Sequence, residues 1–366
     1  MSLKIVLMPG DGIGPEVTEE AARILKNVAE HSGKSFTFST YAIGGTAIDS
    51  EGVGLPDRTL EAALDANAVL LGAVGHPKFD GHKTSERPEA ALLALRQALG
   101  GFANLRPAIS YAPLAKRTAF QPERIKGANL LIVRELLGGL YFGEPRGFEA
   151  SGDTAFNTLI YSRHEIERVA KVAFERARER KKKVASIDKA NVLETSRLWR
   201  AVVSEVAKGY PDVELEHVYI DTAAMRLATA PTSFDVMLCD NLFGDILSDQ
   251  AASVSGSLGL LPSATIGGKV DLYEPVHGSA PDIAGKGLAN PIGAIASAAM
   301  LLRFSARMDK EAADIEHAIE DALAAGARTR DLAGPGERVM STREMGQAIE
   351  DALNEVRDRK HSYHGV

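Results

Sequence analysis

Two aspartates four residues apart, Asp245 and Asp249, are the first residues here whose types and spacing could do chemistry. On a helix that interval sets both carboxylates on one face, one turn apart, where like charges repel by roughly a few tenths of a kcal/mol. A divalent cation reverses the sign of that interaction, and oxygen donors of this kind suit Mg²⁺ or Mn²⁺. The bland alternative is a solvated helix face. Against it stand the neighbours Phe243, Gly244, Ile246, Leu247, Ala251 and Ala252, all apolar or small. Further polar groups follow apolar runs in the same half of the chain. Lys189 and Asn191 come after 184–187, Asp221 after 213–219, and Asn241 just before the aspartate pair. Each has an ordinary structural explanation alone; together, an ammonium and three carboxylates at one rim imply a site.

The elements that must position these groups alternate. Apolar strands at 184–187, 213–219 and 234–238 are each followed by helical patterning, at 193–208, 222–228 and from Leu242. Strand–helix alternation predicts parallel strands joined by right-handed crossovers, with ligands gathering beyond the strands' carboxyl ends. Upstream, 4–8 reads as a strand, PGDGIGPE as a turn, and Pro15 as the start of a helix reaching about Glu30. Gly10, Gly12 and Gly14 tempt a dinucleotide fingerprint, but the third interval is wrong and no acid ends the next strand, 36–42. The usual Rossmann reading is therefore rejected, although free N–H groups at a helix start can still hold an anionic or polar ligand.

A buried strand at 68–73 and a polar loop at 74–87 precede a helix from Pro88. On its face lie Glu89, Leu92, Leu93 and Arg96, either a core face with charged ends or part of a site. Arg106 precedes Pro107 and is therefore extended, and Arg134 ends the apolar strand 130–133. Residues 135–161, rich in glycine and aromatics, read as a protruding arm exposing Leu140, Tyr141, Phe142 and Phe156, with strand-like alternation resuming at 159–161. The stretch 272–291 holds too many glycines, prolines and polar residues for regular structure and reads as a binding loop. Core helices are expected at 292–308 and 315–325, with a frayed tail from Arg357.

A chain of 366 residues suits two domains, and 45% hydrophobic with 25% charged residues is the composition of a soluble globular protein. The net charge of −7 gives no support to nucleic acid as a partner; the basic run 176–183 reads as a solvated helix end. The single cysteine, Cys239, excludes intramolecular disulfides, fits a reducing compartment and reads as a small core residue. With no signal-peptide pattern and no membrane-length apolar run, the expected location is cytoplasmic.

The stretches GDGIGPE, RPEAALLALR, FANLRP, RELLGGLYFGEPRG, DKANVL, DNLFGDILSD, GSLGLLPSA and EPVHGSAPDIAGKGLANP resemble the β-decarboxylating 2-hydroxyacid dehydrogenases, in order and over nearly the whole chain. The likeness is strongest to the branch acting on 3-isopropylmalate in leucine biosynthesis. It implies a two-domain α/β/α fold with a mainly parallel sheet: a first, cofactor-side domain of 1–101 and 256–366, and an inserted dimerisation domain of 102–255 with a β-arm at about 135–161. It further implies oxidation of (2R,3S)-3-isopropylmalate by NAD with loss of CO₂, in a homodimer whose active sites are shared across the interface. Arg96, Arg106 and Arg134 would bind the substrate carboxylates bidentately. Asp245, Asp249 and Asp221 of the partner subunit would hold Mg²⁺ or Mn²⁺. Lys189 would accept the hydroxyl proton, through Asp221 or water, and Tyr141 would return a proton to the enol.

Leu92, Leu93 and Val192 would form an apolar wall suited to an isopropyl group, with Asn191 adjoining it, and the resemblance implies that Glu89 stands near the nicotinamide. Ile13, Glu274, His277, Gly278, Ser279, Ala280, Asp282, Ile283 and Asn290 would line the dinucleotide site, with Asp282 accepting from a ribose hydroxyl and repelling a 2′-phosphate. Gln250 stands where the family pattern has Glu, and Thr222-Ala223 where Ala-Met is more usual. The alternative within the class is an enzyme acting on D-malate or tartrate.

Overall fold

The computed structural model describes residues 2–363. Its strands are β1 (Leu3–Gly10), β2 (Phe36–Thr40), β3 (Ala68–Ala73), β4 (Ala103–Ile109), β5 (Asn129–Glu135), β6 (Gly147–Phe148), β7 (Ala155–Phe156), β8 (Lys183–Asp188), β9 (Glu214–Tyr219), β10 (Val236–Cys239), β11 (Pro262–Ile266) and β12 (Asp271–Pro275). The helices are α1 (Gly14–Ser32), α2 (Gly45–Glu51), α3 (Asp57–Leu64), α4 (Pro88–Leu99), α5 (Pro122–Ile125), α6 (Arg163–Arg178), α7 (Glu194–Ala207), α8 (Ile220–Thr229), α9 (Asn241–Ser255), α10 (Ile292–Phe304), α11 (Asp309–Ala324) and α12 (Thr342–Tyr363). No helix is long and apolar enough to cross a membrane among the described residues.

The chain forms two compact units. The first comprises Met1–Gly100, Tyr111–Arg117 and Ser255–Val366. Its strands run in the order β2-β1-β3-β12-β11, parallel except for the β11–β12 pair. β3 is buried along its whole length, which explains its unbroken AVLLGA run: a parallel strand covered on both faces needs no polar alternation. Val6, Met8, Val69, Leu71 and Leu272 from the strands meet Leu95 and Leu99 of α4 in one core cluster. Helix α10 is buried from Ile292 to Leu302, so its sequence IGAIASAAMLL is apolar all round. Tyr111–Arg117 packs here although it falls within the inserted sequence, because Arg328 donates to the Pro113 carbonyl (3.3 Å) and Arg117 pairs with Glu337 (2.6 Å).

The second unit, Gly101–Ser110 and Thr118–Val254, has strand order β4-β5-β10-β8-β9, parallel except for the β4–β5 pair. Helix α6 begins with a capping box in which Ser162 and Glu165 satisfy each other's backbone N–H groups. β6 and β7 form a two-stranded ladder within the arm, with Phe148, Phe156 and Ile160 exposed. The basic run is neutralised by ion pairs of Arg178 with Asp212, Arg180 with Asp235 and Lys183 with Glu214. Cys239 lies in the core, and burial pushes its thiol far up.

Three expectations need correction. Residues 272–275 belong to strand β12, because the loop character of 272–291 begins only after Pro275; Tyr273 and Glu274 are paired with β11 and buried. Residues 159–161 form no strand; Tyr161 is buried and edge-on to Trp199, while Ile160 points outward without a ladder partner. The chain does not fray at Arg357 but remains helical to Tyr363, and Arg357 donates to Asn27 at 2.5 Å.

Candidate functional site

The second unit gathers its chemistry through register. In the antiparallel β4–β5 pair Asn104 faces Arg134, so Arg106, two residues on, lies on the same face as Arg134. β10 lies on the other side of β5, with Cys239 opposite Arg134, and delivers α9 directly above. Arg134 is 1% exposed, and its buried guanidinium is met by partners: its Nε and Nη2 donate to Asn241 Oδ1 (3.0 and 2.7 Å) and its Nη1 to Asp245 Oδ1 (2.5 Å). Arg106 donates to Asn104 (2.6 Å) and Ser248 (2.7 Å), and its Nη1 stands 3.4 Å from the same Asp245 oxygen. Tyr141 donates to Asp245 Oδ2 at 2.7 Å, with the Arg134 guanidinium 5.6 Å from its ring centre.

Two arginines and a phenol therefore converge on one carboxylate. Burial, then the bond to Asp245, pushes the Tyr141 hydroxyl up to about 12, so it carries a transferable proton throughout the neutral range. Gly244 makes the arrangement possible: a Cβ there would lie 2.7 Å from Arg134 Cγ.

Asp249 shares the α9 face with Asp245 and is exposed by surface area, yet partial desolvation raises its carboxyl above the ordinary range. Neighbouring Asp245 adds to that rise, while Arg106 and Arg134 oppose it. Two neighbouring carboxylates on one helix face, one of them open to solvent, fit a divalent ion that keeps several waters and takes one or two protein carboxylates. No set of three His, Cys, Asp or Glu side chains assembles to hold a metal among the described residues. Asp221 instead takes the Lys189 ammonium at 2.5 Å, which holds its carboxyl below the usual range. Asn191 is exposed, and Val192 is 64% exposed. Gln250, unlike a glutamate, can donate: its Nε2 reaches the Ala224 carbonyl at 2.8 Å and ties α9 to α8, with Ala223 buried beneath.

The first unit holds the remaining candidates. The Ile13 N–H donates to the Ser279 carbonyl at 2.8 Å, which joins the GDGIGP turn to the HGSAPD loop. Gly12, at φ +58°, permits this approach, since a Cβ there would fall 1.9 Å from that oxygen. Ala280 is held at φ +39°, a conformation disfavoured for a residue with a Cβ. Burial lowers the His277 imidazole, keeping it neutral; its Nδ1 meets the Gly278 carbonyl at 2.9 Å. Its Nε2 is buried without a partner among the described residues, so it suits a ligand hydroxyl or ring nitrogen. Asp282 is exposed and Ile283 partly so.

Asn290 is committed elsewhere: its Oδ1 caps α10 at Ile292 (3.0 Å) and its Nδ2 donates to Asp331 (3.0 Å). Glu274 is likewise engaged, receiving Arg96 Nη2 at 2.6 Å in a buried pair. Arg96 Nε has no partner among the described residues, and an unpaired buried donor costs about 1–3 kcal/mol until an anion meets it. Glu89, two turns before it, lies beside Gly75, where a Cβ would fall 2.9 Å from its Oε1, while Leu92 and Leu93 are partly buried. Residues that the sequence reading did not single out for the site are Asn104, Tyr161 and Ser248. Their signal is visible only in three dimensions, as partners of Arg106 and of Asn241.

Parallel-strand units carrying an arginine–tyrosine–aspartate cluster define an α/β enzyme for a small, carboxylate-bearing ligand. A family model described as isocitrate/isopropylmalate dehydrogenase matches residues 4–349. The chain is 54% identical over 348 residues to a 3-isopropylmalate dehydrogenase of Wolinella succinogenes, covering 94% of this chain and 96% of that protein. It is 53% identical to one of Geobacillus kaustophilus, covering 96% of this chain and 95% of that one. Among solved structures, an isocitrate dehydrogenase from Methylococcus capsulatus superposes with a TM-score of 0.86 at 37% identity, covering 96% and 99% of the two chains. A β-decarboxylating dehydrogenase from Thermococcus kodakarensis does so with 0.79 at 36%, covering 96% of each. The chain belongs to the isocitrate/isopropylmalate dehydrogenase family.

Proposed function

We propose that the chain oxidises (2R,3S)-3-isopropylmalate with NAD and releases CO₂, forming 4-methyl-2-oxopentanoate in leucine biosynthesis. The convergence of Arg106, Arg134 and Tyr141 on Asp245 carries the reading, because it combines a clamp for carboxylates with a held proton. The named activity of the relatives supplies the substrate.

Arg96, Arg106 and Arg134 bind and orient the two substrate carboxylates, so that one stays fixed while the other is lost. Lys189 and Asp221, paired at 2.5 Å, take the hydroxyl proton; in this reading they act on the neighbouring subunit's substrate, which makes a homodimer the working form. Tyr141, still protonated in the neutral range, protonates the enol carbon after decarboxylation. Asp245 and Asp249, with Asp221 of the partner subunit, hold Mg²⁺ or Mn²⁺. Ile13, His277, Gly278, Ser279, Ala280, Asp282 and Ile283 would hold NAD, with Glu89 on the nicotinamide side. What the two groups supply when bound is a hydride acceptor and a fixed positive charge that stabilises an enolate.

Leu92, Leu93 and Val192 contact the isopropyl group. A panel of 3-isopropylmalate, D-malate and isocitrate, each with Mg²⁺ and with EDTA, tests the whole assignment by NADH production. Preference for isopropylmalate by about tenfold or more is expected, since a pocket discriminates its alkyl group by roughly 1–3 kcal/mol. Preference for D-malate, or turnover that survives EDTA, overturns it.

A further inference from the structure

We infer that Asn241 is a positioning residue that sets Arg134 and Tyr141 together, so that the carboxylate clamp and the proton donor are held by one buried amide. The inference rests on the roles proposed above for those two residues. Asn241 is 1% exposed and opens α9, one residue, Asp240, after the end of buried strand β10. Its Oδ1 accepts both Nε and Nη2 of Arg134, at 3.0 and 2.7 Å. Its Nδ2 donates to the carbonyls of Leu136 and Gly138, each at 3.1 Å. Its backbone N–H donates to the Tyr161 hydroxyl at 2.9 Å. The amide has one workable orientation, because a flipped group would set NH₂ against guanidinium donors and oxygen against two carbonyls.

The consequences divide between the two ends of the amide. On the oxygen side one edge of the guanidinium is occupied, and Nη1 is left turned toward Asp245. Rotation about the last bonds of Arg134 would break two hydrogen bonds to a buried acceptor, so the fork is pre-set before any acid arrives. On the nitrogen side the amide pins residues 136–138, which lead straight into the turn Gly139–Tyr141. The opposite flank of that segment is held by Glu135, whose carboxylate accepts the N–H groups of Leu137 (3.0 Å) and Gly138 (2.8 Å) and the Tyr161 hydroxyl (3.2 Å). Tyr161 therefore closes the circuit, accepting from Asn241 and donating to Glu135. A shift of the amide would move the Tyr141 hydroxyl relative to the guanidinium, and the geometry of both groups toward one substrate depends on it.

The two ends can be separated by substitution. Asn241→Asp keeps an acceptor for Arg134 but sets a carboxylate oxygen against two carbonyls, which releases the segment carrying Tyr141. Asn241→Ala removes both holds. Steady-state kinetics of the full-length enzyme with 3-isopropylmalate, NAD and Mg²⁺ are compared with Arg134→Lys and Tyr141→Phe, with a melting temperature for each variant. Asn241→Asp should lower kcat by about tenfold or more while KM stays within about threefold, and Asn241→Ala should add a KM increase of about tenfold. Should either variant fold poorly, Tyr161→Phe keeps the ring against Trp199 and should lower kcat alone, by about threefold to tenfold. Parental constants in the Asn241 and Tyr161 variants overturn the inference, as does a loss of activity that tracks melting temperature across the variants, with no difference between Asn241→Asp and Asn241→Ala in KM. If Tyr141→Phe and Arg134→Lys retain full activity, the underlying site assignment has failed instead.

Discussion

Asp240, one residue before α9, is 8% exposed, and its carboxylate accepts the Phe243 N–H at 2.7 Å as a helix cap. Burial pushes it from 3.8 up to about 7; the Phe243 bond and Arg134 oppose this, and Glu135 adds to it. Between those two values the folded state holds a proton that the unfolded state has lost, so stability falls as pH rises through the window. Above about pH 7 the full penalty applies, and at about 1.4 kcal/mol per pH decade it reaches about 4 kcal/mol. Asp240→Asn keeps the capping oxygen and removes the charge. Its stability advantage over the parent should be small near pH 4, grow through the window, and widen by about 3 kcal/mol between about pH 5 and pH 8. The sole tryptophan, Trp199, is buried in the same unit, so urea unfolding followed by its fluorescence reports the right region. All other ionisable groups are common to both proteins and cancel in the difference. A gap equal at the two pH values would refute the reasoning, because Asp240 would then ionise in its ordinary range.

Other expectations concern close approaches and the acidic face. Gly244→Ala places a methyl 2.7 Å from Arg134 Cγ, so a loss of about 1–3 kcal/mol in stability and a clear rise in substrate KM are expected; unchanged kinetics would argue that Arg134 does not bind substrate. Gly12→Ala sets a Cβ 1.9 Å from the Ser279 carbonyl at φ +58° and should weaken NADH binding by about tenfold or more, measured by fluorescence titration. Equal affinity would detach this turn from the cofactor. Mg²⁺ or Mn²⁺ at about 100 times its dissociation constant should stabilise the parent by about 2.7 kcal/mol without substrate, and Asp249→Asn should abolish that thermal shift. A shift preserved in the variant would remove Asp249 from the metal site.

Much of the architecture was readable along the chain because burial imposes period and composition locally. The AVLLGA run of β3, Pro88 opening α4 and the strand–helix alternation after Lys183 each follow from local patterning. Strand β12 hid inside a stretch dominated by loop residues, since five residues of ladder cannot outweigh the glycines and prolines that follow. The arginines, Tyr141 and the α9 aspartates were visible as residue types at telling positions. Their mutual geometry was not, because it depends on which strands are neighbours.

By itself, then, the sequence determined the fold class, the carboxylate pair on one helical face and the motifs that place the chain in its family. Only the tertiary structure decided that Asn104 faces Arg134 across β4 and β5, that Asp245 receives both a guanidinium and a phenol, and that Glu274 and Asn290 are already engaged by Arg96 and Asp331. It also decided why Gln250 is tolerated, by supplying the Ala224 carbonyl as an acceptor. The physical reason is the range of the forces: helical period and burial act over a few residues and are written consecutively. A hydrogen bond between residues 107 positions apart exists only once register has brought them within 3 Å.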